Sequence, residues 1–239
     1  MNTLTNFVNR ALGLLGLRLV RSHRTPSGSR HSNLFHHSRV IDSEGLAMAA
    51  ATIPGMVTEE SGKMLFSLCY TQQLEGDVVE IGSWQGYSTS FLATAVSESG
   101  NGRLYAIDHF RGNVGKESYY VAGKSDLSDL PHKFTENMQR LGLAQTVRLL
   151  AMTNKDAAEC LRREEARIRF LFVDGDHSRE GVQRDMDLFL PFLIKGSIVV
   201  FDDCSPNAPG VIEVIDDLLR RKVFGKAFTY PNSLVAVVS

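Results

Sequence analysis

From residue 58 onward the chain alternates short apolar runs with amphipathic stretches, and this alternation constrains the fold more than any other feature. The runs are VVEI at 78–81, LYAI at 104–107, VRLLAM at 147–152, IRFLFV at 168–173, SIVVF at 197–201 and LVAVV at 234–238. They are rich in β-branched side chains and lack a polar alternation, as strands covered on both faces should be. Helical spacing fills the intervals. The clearest stretch runs from Ser178 to Leu193, with Val182, Met186, Phe189 and Leu193 on one face. Ser178 suits its N-cap, and Gly196 follows soon after its end. A second helix is expected over about 209–222, with Val211, Ile215, Leu218 and Leu219 inward. Strand–helix alternation of this kind implies an α/β fold with a doubly wound, mainly parallel sheet. No internal repeat is present.

At 239 residues the chain suffices for one sizeable domain that folds without disulfides or a structural metal. Cys69, Cys160 and Cys204 lie far apart with no CxxC pair, so neither a disulfide framework nor a thiolate zinc site is expected. A reducing, cytoplasmic setting follows as the default. No run reaches the roughly 18 apolar residues that a membrane-spanning helix needs.

The net charge of −1 conceals an asymmetry. Residues 1–40 carry six arginines, four of the seven histidines and no acid, which leaves 20 basic side chains against 27 acidic ones in the remainder. A basic arm (1–40) therefore precedes an acidic domain (41–239). Within the arm, Leu4, Phe7, Val8, Ala11, Leu12 and Leu15 fall at helical spacing, flanked by Arg10, Arg18 and Arg21. Three readings stand. The helix packs on the domain or a partner subunit, it lies on an anionic membrane surface through residues 1–24, or it is an organellar targeting segment. His36 and His37 lack nearby carboxylate or cysteine ligands and read as solvated. An acidic body argues against nucleic acid as a partner.

In doubly wound sheets, ligands sit beyond the carboxyl ends of the strands. The residues that end the runs are Glu80–Gly86, Asp108–Arg111, Thr153, Asp174–His177 and Asp202–Asp203, nearly all polar or glycine. After the first run comes EIGSWQGYS. A dinucleotide fingerprint beginning at Gly82 would need glycines where Trp84 and Tyr87 stand, and their bulk blocks a pyrophosphate. A ligand without phosphates fits better. Glu80 favours a cationic group, and Asp108 suits two ribose hydroxyls. Ribose, a cationic amino-acid moiety and no phosphate together describe S-adenosylmethionine.

VVEIGSWQGYST, LYAIDHF and FLFVDGDHSREGVQRDMDLFLPFLIKGSIVVFDD, with the lead-in IPGMVTEE, resemble a class I S-adenosylmethionine-dependent methyltransferase. More narrowly, they are similar to the group of cephalosporin-hydroxylase-like proteins and macrolide-sugar O-methyltransferases. The resemblance covers about residues 53–239 and excludes the arm. It implies a seven-stranded sheet of order 3-2-1-4-5-7-6 with the last strand antiparallel. It also implies that Glu80 meets the methionine amino group, that Gly82, Ser83 and Gly86 surround the amino-acid end, that Asp108 holds the ribose and that Thr153 approaches the adenine. The plainer alternatives are an ordinary strand-to-helix turn for the glycines and a cap or solvated turn residue for Asp108.

In that strand order Asp174 and Asp202–Asp203 end neighbouring strands, so three carboxylates converge. Like charges so close need a cation or a shared proton. Oxygen-only ligands suit a hard divalent ion, Mg²⁺ first, with Asp174, Asp202 and Asp203 as its ligands. Neighbouring strand residues point to opposite faces, so Asp202 and Asp203 serve together only where the chain leaves strand geometry. The layout is similar to that of metal-dependent O-methyltransferases of the catechol type, whose base lies three residues after the first ligand. That offset lands on His177, which the resemblance makes the catalytic base, with an ordinary pKa near 6.5 suited to neutral pH. Alternatively Asp174 and Asp176 cap the helix near Ser178, and His177 and Asp203 face water.

The long polar loop RGNVGKESYYVAGKSDLSDL offers Tyr119 and Tyr120 as a lid, with His109 and Arg111 at its root. The expected function is metal-dependent O-methylation of a saccharide, glycan precursor or small secondary metabolite. A catechol-like phenolic acceptor, a non-catalytic S-adenosylmethionine-binding module and an iron oxygenase are the alternatives. The last is disfavoured by a single strand-end histidine. Relatives of this kind often form homo-oligomers.

Overall fold

The computed structural model describes residues 43–112 and 127–239. The expectations for the arm and for the Tyr119–Tyr120 lid lie outside the described residues. Two helices, α1 (Ser43–Ala50) and α2 (Glu59–Thr71), lead into strand β1 (Asp77–Ile81). The chain then alternates through α3 (Tyr87–Ser99), β2 (Leu104–Ile107), α4 (Leu130–Arg140), β3 (Val147–Leu150), α5 (Asn154–Arg163), β4 (Ile168–Val173), α6 (Arg179–Phe189), β5 (Leu193–Phe201) and α7 (Pro209–Arg220). It closes with β6 (Phe224–Tyr230) and β7 (Ser233–Val238).

The seven strands form one sheet of order β3-β2-β1-β4-β5-β7-β6, as the family resemblance implied. Strands β1 to β5 pair in parallel, and β7 runs antiparallel to both β5 and β6. Successive side chains point to opposite faces and so build two apolar layers. Val78, Phe170, Phe172, Ile198 and Val200 meet Leu65, Phe91 and Phe134 of α2, α3 and α4. Val79, Leu171, Val199 and Phe201 meet Leu161, Met186, Phe189 and Leu218 of α5, α6 and α7. Covering both faces explains why β1, β2, β4 and the end of β5 read as largely apolar runs, with the buried Glu80 and Arg169 as exceptions.

Two departures from the sequence pattern concern α6 and β6. Ser178 caps α6, its hydroxyl accepting from the Gly181 amide at 3.1 Å, but the helix stops at Phe189. Leu190–Phe192 form a single 3-10 turn, and Leu193 already belongs to β5. Pro191 has no amide hydrogen to continue an α-helix, so the helical spacing of Leu193 is coincidental. Gly196, expected just past the helix, lies inside β5 at φ +88°. Strand β6 shows no apolar run because most of its residues are exposed at the sheet edge.

Candidate active site

A cavity of about 360 Å³ opens at the carboxyl edge of the sheet. Of the residues singled out from sequence, Gly82, Ser83, Asp108, Thr153, Asp174 and His177 line it, as do His109 and Asp176. Glu80, Gly86, Asp202 and Asp203 are outside its lining.

The β1–α3 turn forms the floor. Gly82 has φ +88°, and a Cβ there would stand 2.0 Å from the Asp174 carbonyl oxygen, so the ends of β1 and β4 approach only with glycine at this position. Gly86 adopts φ +93° at the start of α3 with its Cα against Phe134 and Met138, so its place is set by turn and packing. Glu80 is fully buried and accepts a hydrogen bond from the Thr89 hydroxyl through Oε2. Its Oε1 and the buried Ser83 hydroxyl have no hydrogen-bond partner among the described residues. Burial pushes Glu80 up to about 8, against the opposing pull of the Ser88 and Thr89 hydroxyls. An acid so placed is kept charged by a cation or else keeps its proton. Two orphaned polar atoms beside the floor therefore fit a ligand with an ammonium group.

Asp108 lines the cavity and also organises the chain around it. Its Oδ2 accepts from the Trp84 amide at 2.9 Å and its Oδ1 from the Phe110 amide at 2.6 Å. Trp84 (φ 41°) and Phe110 (φ 56°) are both left-handed, a conformation that bulky residues avoid. One carboxylate thus holds two strained turns, and each oxygen keeps a second lone pair. Beyond β3, Thr153 caps α5: its hydroxyl accepts from the Asp156 amide at 3.2 Å and donates to Asp156 Oδ2 at 2.7 Å. His109 Nδ1 accepts from the Arg111 amide at 3.0 Å.

At the ends of β4 and β5 the carboxylates gather around a histidine. His177 Nδ1 lies 2.9 Å from Asp203 Oδ2, and Nε2 lies 3.5 Å from Asp174 Oδ1. Neither nitrogen has an aligned hydrogen bond, so these are charge contacts off the ring N–H direction. Burial draws the His177 pKa down, but Asp174 and Asp203 outweigh it and lift it to about 9. The two carboxylates thus favour the protonated ring, and the ordinary value near 6.5 expected from sequence does not apply. Asp174 is pushed up to about 7, first by burial and then by Asp202, with His177 opposing. Asp202 is raised as well, again by burial first, and accepts from the Ser233 hydroxyl at 2.9 Å.

The chain does leave strand geometry where it must. β5 ends at Phe201 and Asp203 takes φ 51°, turning its carboxylate toward His177 while Oδ1 accepts from Asn232. These hard-oxygen donors, crowded and mutually repelling, fit a divalent cation in their chemistry. Among the described residues, however, no group of three or more His, Cys, Asp or Glu side chains stands ready to hold one. The imidazolium of His177 occupies the place between Asp174 and Asp203. Asp176 Oδ1 accepts from the Ser178 amide at 3.0 Å, and Arg184 lies 3.6 Å from its Oδ2.

Sequence reasoning missed the apolar wall. Met56 and Val57 of the lead-in, with Trp84, Tyr87, Phe110 and Leu130, surround the mouth. Gly55 lets this segment lie on Tyr87, since a Cβ there would meet the ring at 2.3 Å. Its sequence signal was the IPGMV lead-in, which carries no chemistry by itself. Asn154, Lys155 and Arg184 also line the cavity.

Comparison with known proteins agrees with this fold. An uncharacterized protein of Acanthamoeba polyphaga mimivirus is 35% identical over 82 residues, which span 30% of this chain and 37% of that protein. An O-methyltransferase from Bacillus cereus, solved in complex with SAH, superimposes with a TM-score of 0.59 at 18% identity, covering 87% of this chain and 96% of that one. The apo structure of CalS11, a TDP-rhamnose 3′-O-methyltransferase of calicheamicin biosynthesis, gives 0.54 at 15% identity, covering 89% and 96%. At those identities the likeness is one of fold. Residues 79–204, just over half of the chain and containing every strand-end residue discussed above, match the family model described as a methyltransferase domain, and the chain belongs to that family.

Proposed function

We propose that the protein is a metal-dependent O-methyltransferase that carries a methyl group from S-adenosylmethionine to a hydroxyl of a saccharide, a glycan precursor or a small secondary metabolite. The observation that carries this reading is a single cavity joining the Gly82–Ser83 turn and Asp108 to the Asp174–His177 cluster. S-adenosylmethionine supplies an electrophilic methyl on a sulfonium. On this chain the orphaned Glu80 and Ser83 oxygens receive its amino-acid end, and Asp108 accepts from its ribose. The base lies toward the end of β3, where Thr153 serves the fold as a helix cap. SAH in the Bacillus cereus structure and the sugar acceptor named for CalS11 support the cofactor and acceptor class.

Asp174, Asp202 and Asp203 would hold the divalent ion, Mg²⁺ by donor chemistry, and it would supply positive charge that makes a substrate hydroxyl more acidic. Asp174 and Asp203 face the His177 ring as counter-charges and favour its protonated form. Once another cation takes up those charges its pKa falls and it can accept the substrate proton as general base. The protein then contributes positioning and fixed charge rather than covalent chemistry. The apolar mouth suits the C–H face of a sugar and equally a phenolic ring, so a catechol-like acceptor is the second reading.

Calorimetric titration with S-adenosylmethionine, then Mg²⁺, then EDTA tests this. The expected result is cofactor binding together with a separate Mg²⁺ event that Asp202→Ala abolishes. Cofactor binding without a metal event removes the metal and leaves a His177-only reaction. No cofactor binding overturns the assignment of the β1–α3 turn.

A further inference from the structure

One buried acid takes no part in the chemistry above. Asp185 on α6 is 1% exposed, and its Oδ2 lies 3.4 Å from where a Cβ on the cavity-lining Gly175 would stand. Its Oδ1 accepts from Asn154 Nδ2 at 2.6 Å, while Oδ2 has no hydrogen-bond partner among the described residues. Burying a carboxylate is costly, and the raised pKa of about 6 reflects that burial. Asn154 is the first residue of α5 and lines the cavity between Thr153 and Lys155.

A primary amide offers one NH₂ donor and one carbonyl acceptor, and only the NH₂ can face a carboxylate. With that group fixed on Asp185, the Asn154 carbonyl is the group left to accept from a ligand. Thr153 is the weaker acceptor, because its hydroxyl already donates to and accepts from Asp156 and keeps a single lone pair. β3 is the strand next to β2, so a base attached to a ribose on Asp108 extends toward the end of β3, where Asn154 stands.

We propose that Asp185 is a positioning residue: it holds the Asn154 amide with its carbonyl oxygen toward the cofactor's base, making the site selective for a 6-aminopurine over a 6-oxopurine. This rests on the cavity being the S-adenosylmethionine site. A buried acceptor that meets an amino group is satisfied, whereas the same acceptor against a carbonyl is left unpaired, and such mismatches discriminate strongly.

The test is equilibrium binding of S-adenosylhomocysteine and its deaminated analogue S-inosylhomocysteine to the full-length wild type, Asp185→Asn and Asn154→Ser. The wild type is expected to prefer the adenosyl ligand by at least about tenfold. In Asp185→Asn the amide at 185 can pair with Asn154 either way round, so Asn154 is no longer held in one orientation and the preference falls toward one. A purely structural Asp185 would lower stability without moving that ratio. Should Asp185→Asn fail to fold, Asn154→Ser carries the test, its ratio expected near one. Equal wild-type binding of both ligands, or variants that keep the wild-type ratio, overturns the proposal. Binding of neither ligand by the wild type overturns the cofactor reading and this inference with it.

Discussion

At His177 burial and charge act in opposite senses. An imidazole withdrawn from water loses its proton more readily, yet two carboxylates within 3.5 Å of its nitrogens hold that proton more firmly. The carboxylates win and the pKa rises to about 9. A raised histidine pKa contributes stability that is fully present below the unfolded value near 6.5 and is lost as pH rises through about 9. The ring therefore serves as the counter-cation of the cluster. Titration of the His177 ring by NMR should give a pKa well above 7 in the free protein. Asp203→Asn, which removes the 2.9 Å contact, should lower it, and saturating Mg²⁺ should lower it too. A free-protein value near 6.5, unmoved by Asp203→Asn, would refute this account of the cluster.

Among the elements, β4 carries the least expected side chain. Arg169 interrupts the run IRFLFV yet is fully buried. Its guanidinium donates to the Cys69 carbonyl at the end of α2 (2.8 Å), to Gly76 before β1 (3.1 Å) and to Asn101 before β2 (3.1 Å). One planar fork thereby ties three connections at the end of the sheet opposite the cavity. Arg169→Met would strip charged donors from three carbonyls while relieving a buried charge, so a net loss of about 3 kcal/mol is expected in urea unfolding. A loss below about 1 kcal/mol would show that water takes over those carbonyls. Elements of this sheet were legible in sequence to the extent that they are covered. β2 and β4 match their runs residue for residue because helices pack on both faces. β6 escaped because an edge strand has no reason to be apolar, and β5 began early because a proline, not a glycine, ended the helix before it. Strand-end acids and glycines were readable from chain position alone. The Asn154–Asp185 and His177–Asp203 pairings were not, since each joins elements separated by long stretches of chain.

Over the whole molecule, the same burial that shapes the cavity sets a pH dependence. Glu80 is raised to about 8, Asp174 to about 7, Asp185 to about 6 and His177 to about 9. Burial drives the three acids, and the neighbouring carboxylates drive the histidine against burial. Every one of these groups binds more protons folded than unfolded. Stability with respect to each is present below its unfolded value, near 4 for the acids and 6.5 for the histidine, and is lost as pH rises through the folded value. Glu164 runs the other way, lowered by its hydrogen bonds from Arg148 and Tyr105, but it is a surface acid and weighs little. The ligand-free protein should therefore melt at progressively lower temperature between about pH 5 and pH 9, by several degrees at least. Glu80→Gln replaces an acid that must ionise in a buried place with a neutral group of the same shape, so it should flatten the slope and leave the variant relatively more stable at pH 9. Scanning calorimetry across that range decides the matter. A melting temperature that is level or rises toward pH 9 would mean that the acids at the cavity edge are already neutralised in the free protein, and the cavity would then have no standing demand for a cationic ligand.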